Sequence, residues 1–133
     1  MKMEPEDYER EKARVERFIE KWASDLGLGW WRVEYRWHDE PCEDDKAGES
    51  TSMQTTSRWE YRWAAIDIYL PSCVGAADSE VEHWLVHEYA HVLLSVEQRQ
   101  LSWKQHGQFG EAATENVARA LLWTREAGAP RGE

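Results

Sequence analysis

The segment His87-Glu88-Tyr89-Ala90-His91 sets two imidazoles four residues apart, with a carboxylate directly after the first. On a helix, residues i and i+4 share a face, with Cβ atoms about 5–6 Å apart. Two imidazoles so placed can reach one metal ion through bonds of about 2.0–2.1 Å. Glu88 points about 100° further round the helix. From there it reaches a water on the metal rather than replacing a histidine, and the chemistry such a set supports is general-base activation of that water.

The surroundings sharpen this reading. From Trp84 to Val96 the chain is apolar on nearly every side of a helix, the mark of a buried element. Polar groups buried there are costly unless something satisfies them. His87, Glu88 and His91 therefore need partners. A hydrolytic zinc takes three protein ligands and keeps a fourth position open, so a third ligand has to come from elsewhere. The last helical stretch offers Glu111 and Glu115, which share a stripe with Ala118 and Leu122. Ionised carboxylates on an inward face call for a metal, a cation or hydrogen-bond donors. His83, one turn before His87, lies where the helix is still polar and reads as a surface histidine, the alternative being a ligand or a supporting group.

The elements that must position these residues follow from periodicity. Pro5 suits a first helical turn. Tyr8, Val15, Phe18, Ile19, Trp22 and Leu26 then fall near the 3.6 period, predicting an amphipathic helix that ends at Gly27 or Gly29. Trp31, Val33, Tyr35 and Trp37 alternate with Arg32, Glu34 and Arg36, a strand with one apolar face. Residues 38–57 are polar and read as a loop or weak strand; the acidic run Glu43, Asp44, Asp45 within them reads as a solvated turn. Arg58 to Leu70 is strand-like, with the apolar parity switching between Trp63 and Ala64, for which a bulge is the simplest account. Pro71 stops that strand. Asp78 or Ser79 caps a helix running to about Glu97. A polar connector over 98–107 leads to a last helix from about Phe109 to Arg125, and the tail over 127–133 should fray. The expectation is one α+β domain over 1–133, with its core at about 5–125: a first helix, a small twisted sheet of mixed strand order, and two helices carrying the site.

The order His87-Glu88-x-x-His91, a gap, then Glu111-x-x-x-Glu115 resembles the gluzincin branch of zinc metallopeptidases, and Glu111 follows His91 by 20 positions, a spacing similar to that of thermolysin-like enzymes. The run Glu111-Ala-Ala-Thr-Glu115-Asn-Val-Ala-Arg-Ala-Leu-Leu resembles the last helix of the smallest members, the minigluzincins, which include bacterial and phage-encoded peptidases. The resemblance covers about Ala64 to Trp123. It implies a zincin-like fold and one zinc ion per chain, with Glu111 as third ligand and Glu115 orienting His87 or His91. The family more often has Asp at that last position. It also implies peptide-bond hydrolysis of narrow specificity, with Glu88 taking a proton from a zinc-activated water and passing it to the leaving amine. The strand before the site helix would pair with substrate backbone, which here means Ala64, Ala65 and Ile66. Larger gluzincins add a His or Tyr that stabilises the oxyanion. No histidine follows Glu115, which leaves His106, Tyr69 and Tyr89 as candidates.

Composition excludes other classes. The chain has 26 Asp and Glu against 16 Lys and Arg, a formal net charge of -10, which disfavours nucleic acid and anionic membrane as partners. No run reaches the roughly 20 apolar residues of a membrane span. The charged start lacks a signal-peptide core, so a cytoplasmic location is expected. Cys42 and Cys73 have no metal-site spacing and read as free thiols, a disulfide being the alternative. The partner expected is a peptide or protein substrate, with oligomeric state open. The competing reading is a non-catalytic, zinc-stabilised regulatory or protein-interaction module of the same fold.

Overall fold

The computed structural model describes residues 2–45, 50–95 and 110–128. Its first element, α1 (Pro5–Trp22), starts with Pro at its first position and carries Glu6 and Asp7 in its first turn and Lys21 in its last, all favourable to the helix dipole. It ends at Trp22, short of the expected glycines. A further turn and Gly27 at φ 74° then lead into a 3-10 turn, Leu28–Trp30. Three strands follow: β1 (Arg32–His38), β2 (Met53–Arg58) and β3 (Trp63–Tyr69). After the 3-10 turn Leu70–Cys73 come α2 (Asp78–Leu93) and α3 (Glu111–Gly128). Among the described residues the protein is thus α+β, with three α-helices and a three-stranded mixed sheet.

The strand order is β1-β3-β2, with β1 parallel and β2 antiparallel to β3. Two expectations change here. The single strand over 58–70 is a hairpin. Arg58 pairs with Trp63, and the chain reverses through a 3-10 turn at Trp59–Tyr61 with Arg62 in the left-handed region at φ 50°. The parity switch comes from this reversal, since β3 pairs with β1 without interruption from Trp63 to Tyr69 and holds no bulge. Residues 38–57, read as a loop or weak strand, contain most of β2. Its polar residues alternate without a hydrophobic signal, because its inner side faces a polar cleft.

The core lies between one face of the sheet and the helices. Ala64, Ile66 and Ile68 of β3 are 0% exposed, together with Val15 of α1 and Val81, Leu85, Tyr89 and Val92 of α2. Arg14 ties α1 to the start of α2. Its guanidinium donates to the carbonyls of Cys73 (2.6 Å) and Ala76 (2.7 Å) and to Asp78 Oδ1 (3.1 Å). Asp78, expected with Ser79 as a candidate cap, is the first residue of α2. Ala77 holds the cap position, and its N–H donates to Glu80 Oε1 at 3.1 Å. The acidic turn is fastened by Asp45, which accepts from the Thr51 N–H at 2.8 Å. Cys42 and Cys73 are free and buried. No helix among the described residues is long and apolar enough to cross a membrane. The connector over 98–107, including His106, and the last residues of the tail lie outside the described residues; α3 itself continues to Gly128.

Candidate metal centre

α2 and α3 bring five of the expected residues together. His87 and His91 project from one face of α2, their rings 4.9 Å apart between centroids and nearly perpendicular. Across from them, Glu111 in the first turn of α3 sets Oε2 at 3.3 Å from His87 Nε2 and Oε1 at 3.2 Å from His91 Nε2. Each imidazole is held by its other nitrogen. His87 Nδ1–H donates to Glu115 Oε1 at 3.0 Å. His91 Nδ1 lies 3.4 Å from the hydroxyl of Thr114, which itself donates to the Gly110 carbonyl at 2.8 Å and is thereby left to accept. Both Nε2 atoms thus face the Glu111 carboxylate, on the side away from the nitrogens that Glu115 and Thr114 hold.

Two contributors were not evident from sequence alone. Thr114 sits between Glu111 and Glu115 and is 0% exposed. Its type carries no chemical signal, although its position one residue before Glu115 places it on the same inward side. His83, read as a surface residue, is half-buried and donates from Nε2 to the same Glu115 Oε1 at 2.9 Å, while Arg119 Nε donates to Oε2 at 2.9 Å. Burial works to raise the Glu115 carboxyl, but the hydrogen bonds from His87, His83 and Arg119 outweigh it and hold the group down at about 2. For His87, burial works to lower its basicity. The Glu115 hydrogen bond and the nearby charges of Glu88 and Glu111 more than offset that, so it is raised.

Glu88 is only 7% exposed. Its Oε1 accepts from the Thr55 hydroxyl of β2 at 2.8 Å, a third contributor invisible in the sequence pattern. Burial pushes the Glu88 carboxyl up to about 7, against the lowering effects of the Thr55 hydrogen bond and of His87. One donor atom each from His87, Glu88 and His91 lie within 4.8 Å of one another, a group able to hold a metal ion.

A cleft of about 420 Å³ opens over these residues, walled by α2, by Glu111 and by Met53, Thr55, Ser57 and Trp59 on the β2 side. A second hollow continues it past Met53 toward Thr51, Trp84 and Ala112. The other expected contacts lie elsewhere. Tyr89 is 0% exposed and turns into the core, its hydroxyl 2.8 Å from that of Tyr35. Tyr69 stacks on His38, with ring centroids 4.6 Å apart, on the far face of the sheet. Ala64, Ala65 and Ile66 are 0% exposed on the central strand, whose two edges are both occupied, so they cannot pair with an added strand. The strand at the cleft is β2.

Comparison of the chain with models of known protein families, with curated proteins and with solved structures found no match.

Proposed function

We propose that this chain is a small zinc-dependent peptidase with a zincin-like arrangement, in which His87, His91 and Glu111 hold the metal and Glu88 is the general base. One observation carries the reading. Two donors bonded at about 2.0–2.1 Å to a tetrahedral ion stand about 3.3–3.4 Å apart. The separations of 3.3 Å from His87 Nε2 to Glu111 Oε2 and 3.2 Å from His91 Nε2 to Oε1 are close to that spacing, each histidine facing a different oxygen of the same carboxylate. Glu88 fits the base role better than the ligand role, because its Oε1 is engaged by Thr55.

A zinc ion bound there supplies Lewis-acid polarisation of a substrate carbonyl and makes water a stronger acid. The remaining work falls to the chain. Thr55 fixes the Glu88 carboxyl through Oε1, which leaves Oε2 to take the proton of the attacking water and hand it to the departing amine. Glu115 and Thr114 keep both imidazoles in the tautomer a ligand needs. β2 offers the substrate a backbone. The Ser52 carbonyl accepts from the Tyr69 N–H at 2.9 Å, so alternation turns Gln54 and Thr56 toward β3 and Met53, Thr55 and Ser57 toward the open edge. An extended peptide adding to that edge runs across Glu88.

The test is elemental analysis and peptide cleavage on the purified chain and on Glu88→Gln. The variant should keep one zinc per chain and lose roughly 10²–10⁴ in turnover; undiminished cleavage would overturn the assignment of the base. A second reading, a zinc-stapled interaction module, draws support from one observation: neither Tyr69 nor Tyr89 reaches the cleft to steady an oxyanion. It predicts zinc in both proteins and cleavage by neither.

A further inference from the structure

β1 forms the edge of the sheet away from the cleft. Which of its backbone groups face outward follows from one hydrogen bond. The Arg32 N–H donates to the Arg62 carbonyl at 2.7 Å, toward β3. Backbone groups alternate sides along a strand, so Arg32, Glu34, Arg36 and His38 bond inward while Val33, Tyr35 and Trp37 turn outward. The outward series is satisfied just beyond both ends. The Trp31 N–H donates to the Leu28 carbonyl, and the Asp39 carbonyl accepts from the Met3 N–H, both at 3.0 Å. Between them three residues keep their outward N–H and C=O groups unpaired among the described residues, and Tyr35 is the midpoint of the seven-residue strand.

We propose that β1 pairs antiparallel with β1 of a second copy of this chain, about a two-fold axis through Tyr35. In this register Tyr35 exchanges both backbone hydrogen bonds with its counterpart, and Val33 does so with Trp37. On the outer face Glu34 falls opposite Arg36 twice, and Arg32 falls opposite His38. The charge pattern selects this register. An axis through Glu34 sets Glu34 against itself and Arg32 against Arg36, and an axis through Arg36 sets Arg36 against itself. Like charges directly opposite are unfavourable, whereas opposite charges stabilise the pair. Alternating charge on an edge strand often discourages pairing, but here the signs are self-complementary.

The inner face agrees. Val33, Tyr35 and Trp37 are only half-buried, while their neighbours Ala64, Ile66 and Ile68 on β3 are 0% exposed. A trough lined by Ile19, Ala23, Leu28 and Trp30 runs beside Val33 and Tyr35. The partner's Trp37, opposite Val33, enters it, and Trp30, 69% exposed, becomes a covered wall. The cleft along β2 lies at the opposite edge and stays open in the pair.

Sedimentation of the full chain over a wide concentration range tests this. The native protein should dimerise. Glu34→Arg alone sets Arg against Arg at two places, and Arg36→Glu alone sets Glu against Glu; each should weaken the dimer roughly tenfold or more, with unchanged circular dichroism. Mixed together, the two variants restore both opposite-charge pairs and should form a heterodimer. A native protein that stays monomeric, a dimer indifferent to Glu34→Arg, or a mixture that fails to associate would each overturn the proposal.

Discussion

The two imidazoles that face Glu111 are steadied by different groups from the same later helix, Glu115 for His87 and Thr114 for His91. The neutral hydroxyl adds no charge, and its own proton is committed to the Gly110 carbonyl. Replacing it should therefore act on ligand orientation alone. Thr114→Val is expected to weaken zinc binding by roughly 10–100-fold, as losses behind a ligand do, measured by competition with a chromogenic chelator. Thr55→Val makes a useful contrast. Thr55 touches Glu88 and neither histidine, so zinc affinity should hold while turnover falls.

Among the elements, α1 is joined to the sheet-to-helix connector through one buried side chain. Arg14 is 14% exposed, and its partner Glu11 only 6%. Arg14→Ala would leave that carboxylate to Arg10 alone and two carbonyls without their donor, and is expected to cost about 2–3 kcal/mol in urea unfolding. The helices and the grouping of their polar residues were legible because 3.6-residue periodicity and the i,i+4 spacing of His87 with His91 and of Glu111 with Glu115 report faces directly. β2 was not. A strand is betrayed by alternation between apolar and polar, and Met53, Thr55 and Ser57 look into a polar cleft. The hairpin was misread for a related reason. Trp59 and Tyr61 imitate a strand's apolar parity, although the chain is turning there through Arg62 in a left-handed conformation that glycine or asparagine more often occupies. Strand order was beyond reach, so the strand expected to line the cleft was the central β3, whereas the edge strand β2 lines it.

For the molecule as a whole, the centre joins α2 to α3 largely through charged groups. Glu111 faces His87 and His91, and Glu115 faces His87 and His83. A metal held by ligands from both helices stabilises the folded state by mass action. Removing it with a chelator should lower the melting temperature, and adding zinc back should restore it, as followed by scanning calorimetry. Opposed to this cluster, β1 forms the other edge of the sheet, so the proposed pairing of two chains and the proposed binding of a peptide would use different edges.

The order of the strands also bears on how the protein comes together in time. β2 and β3 are joined by four residues and meet as a hairpin, an event on the order of 1–10 μs. β1 must close a much longer stretch of chain before it can lie parallel to β3, and such non-local pairing is slow. Thr55 is therefore expected in place early, with the hairpin, and Glu88, His87 and His91 later, with a helix whose apolar sides pack on the completed sheet. A cluster that needs both the sheet and the two helices would then report the completion of folding rather than its start.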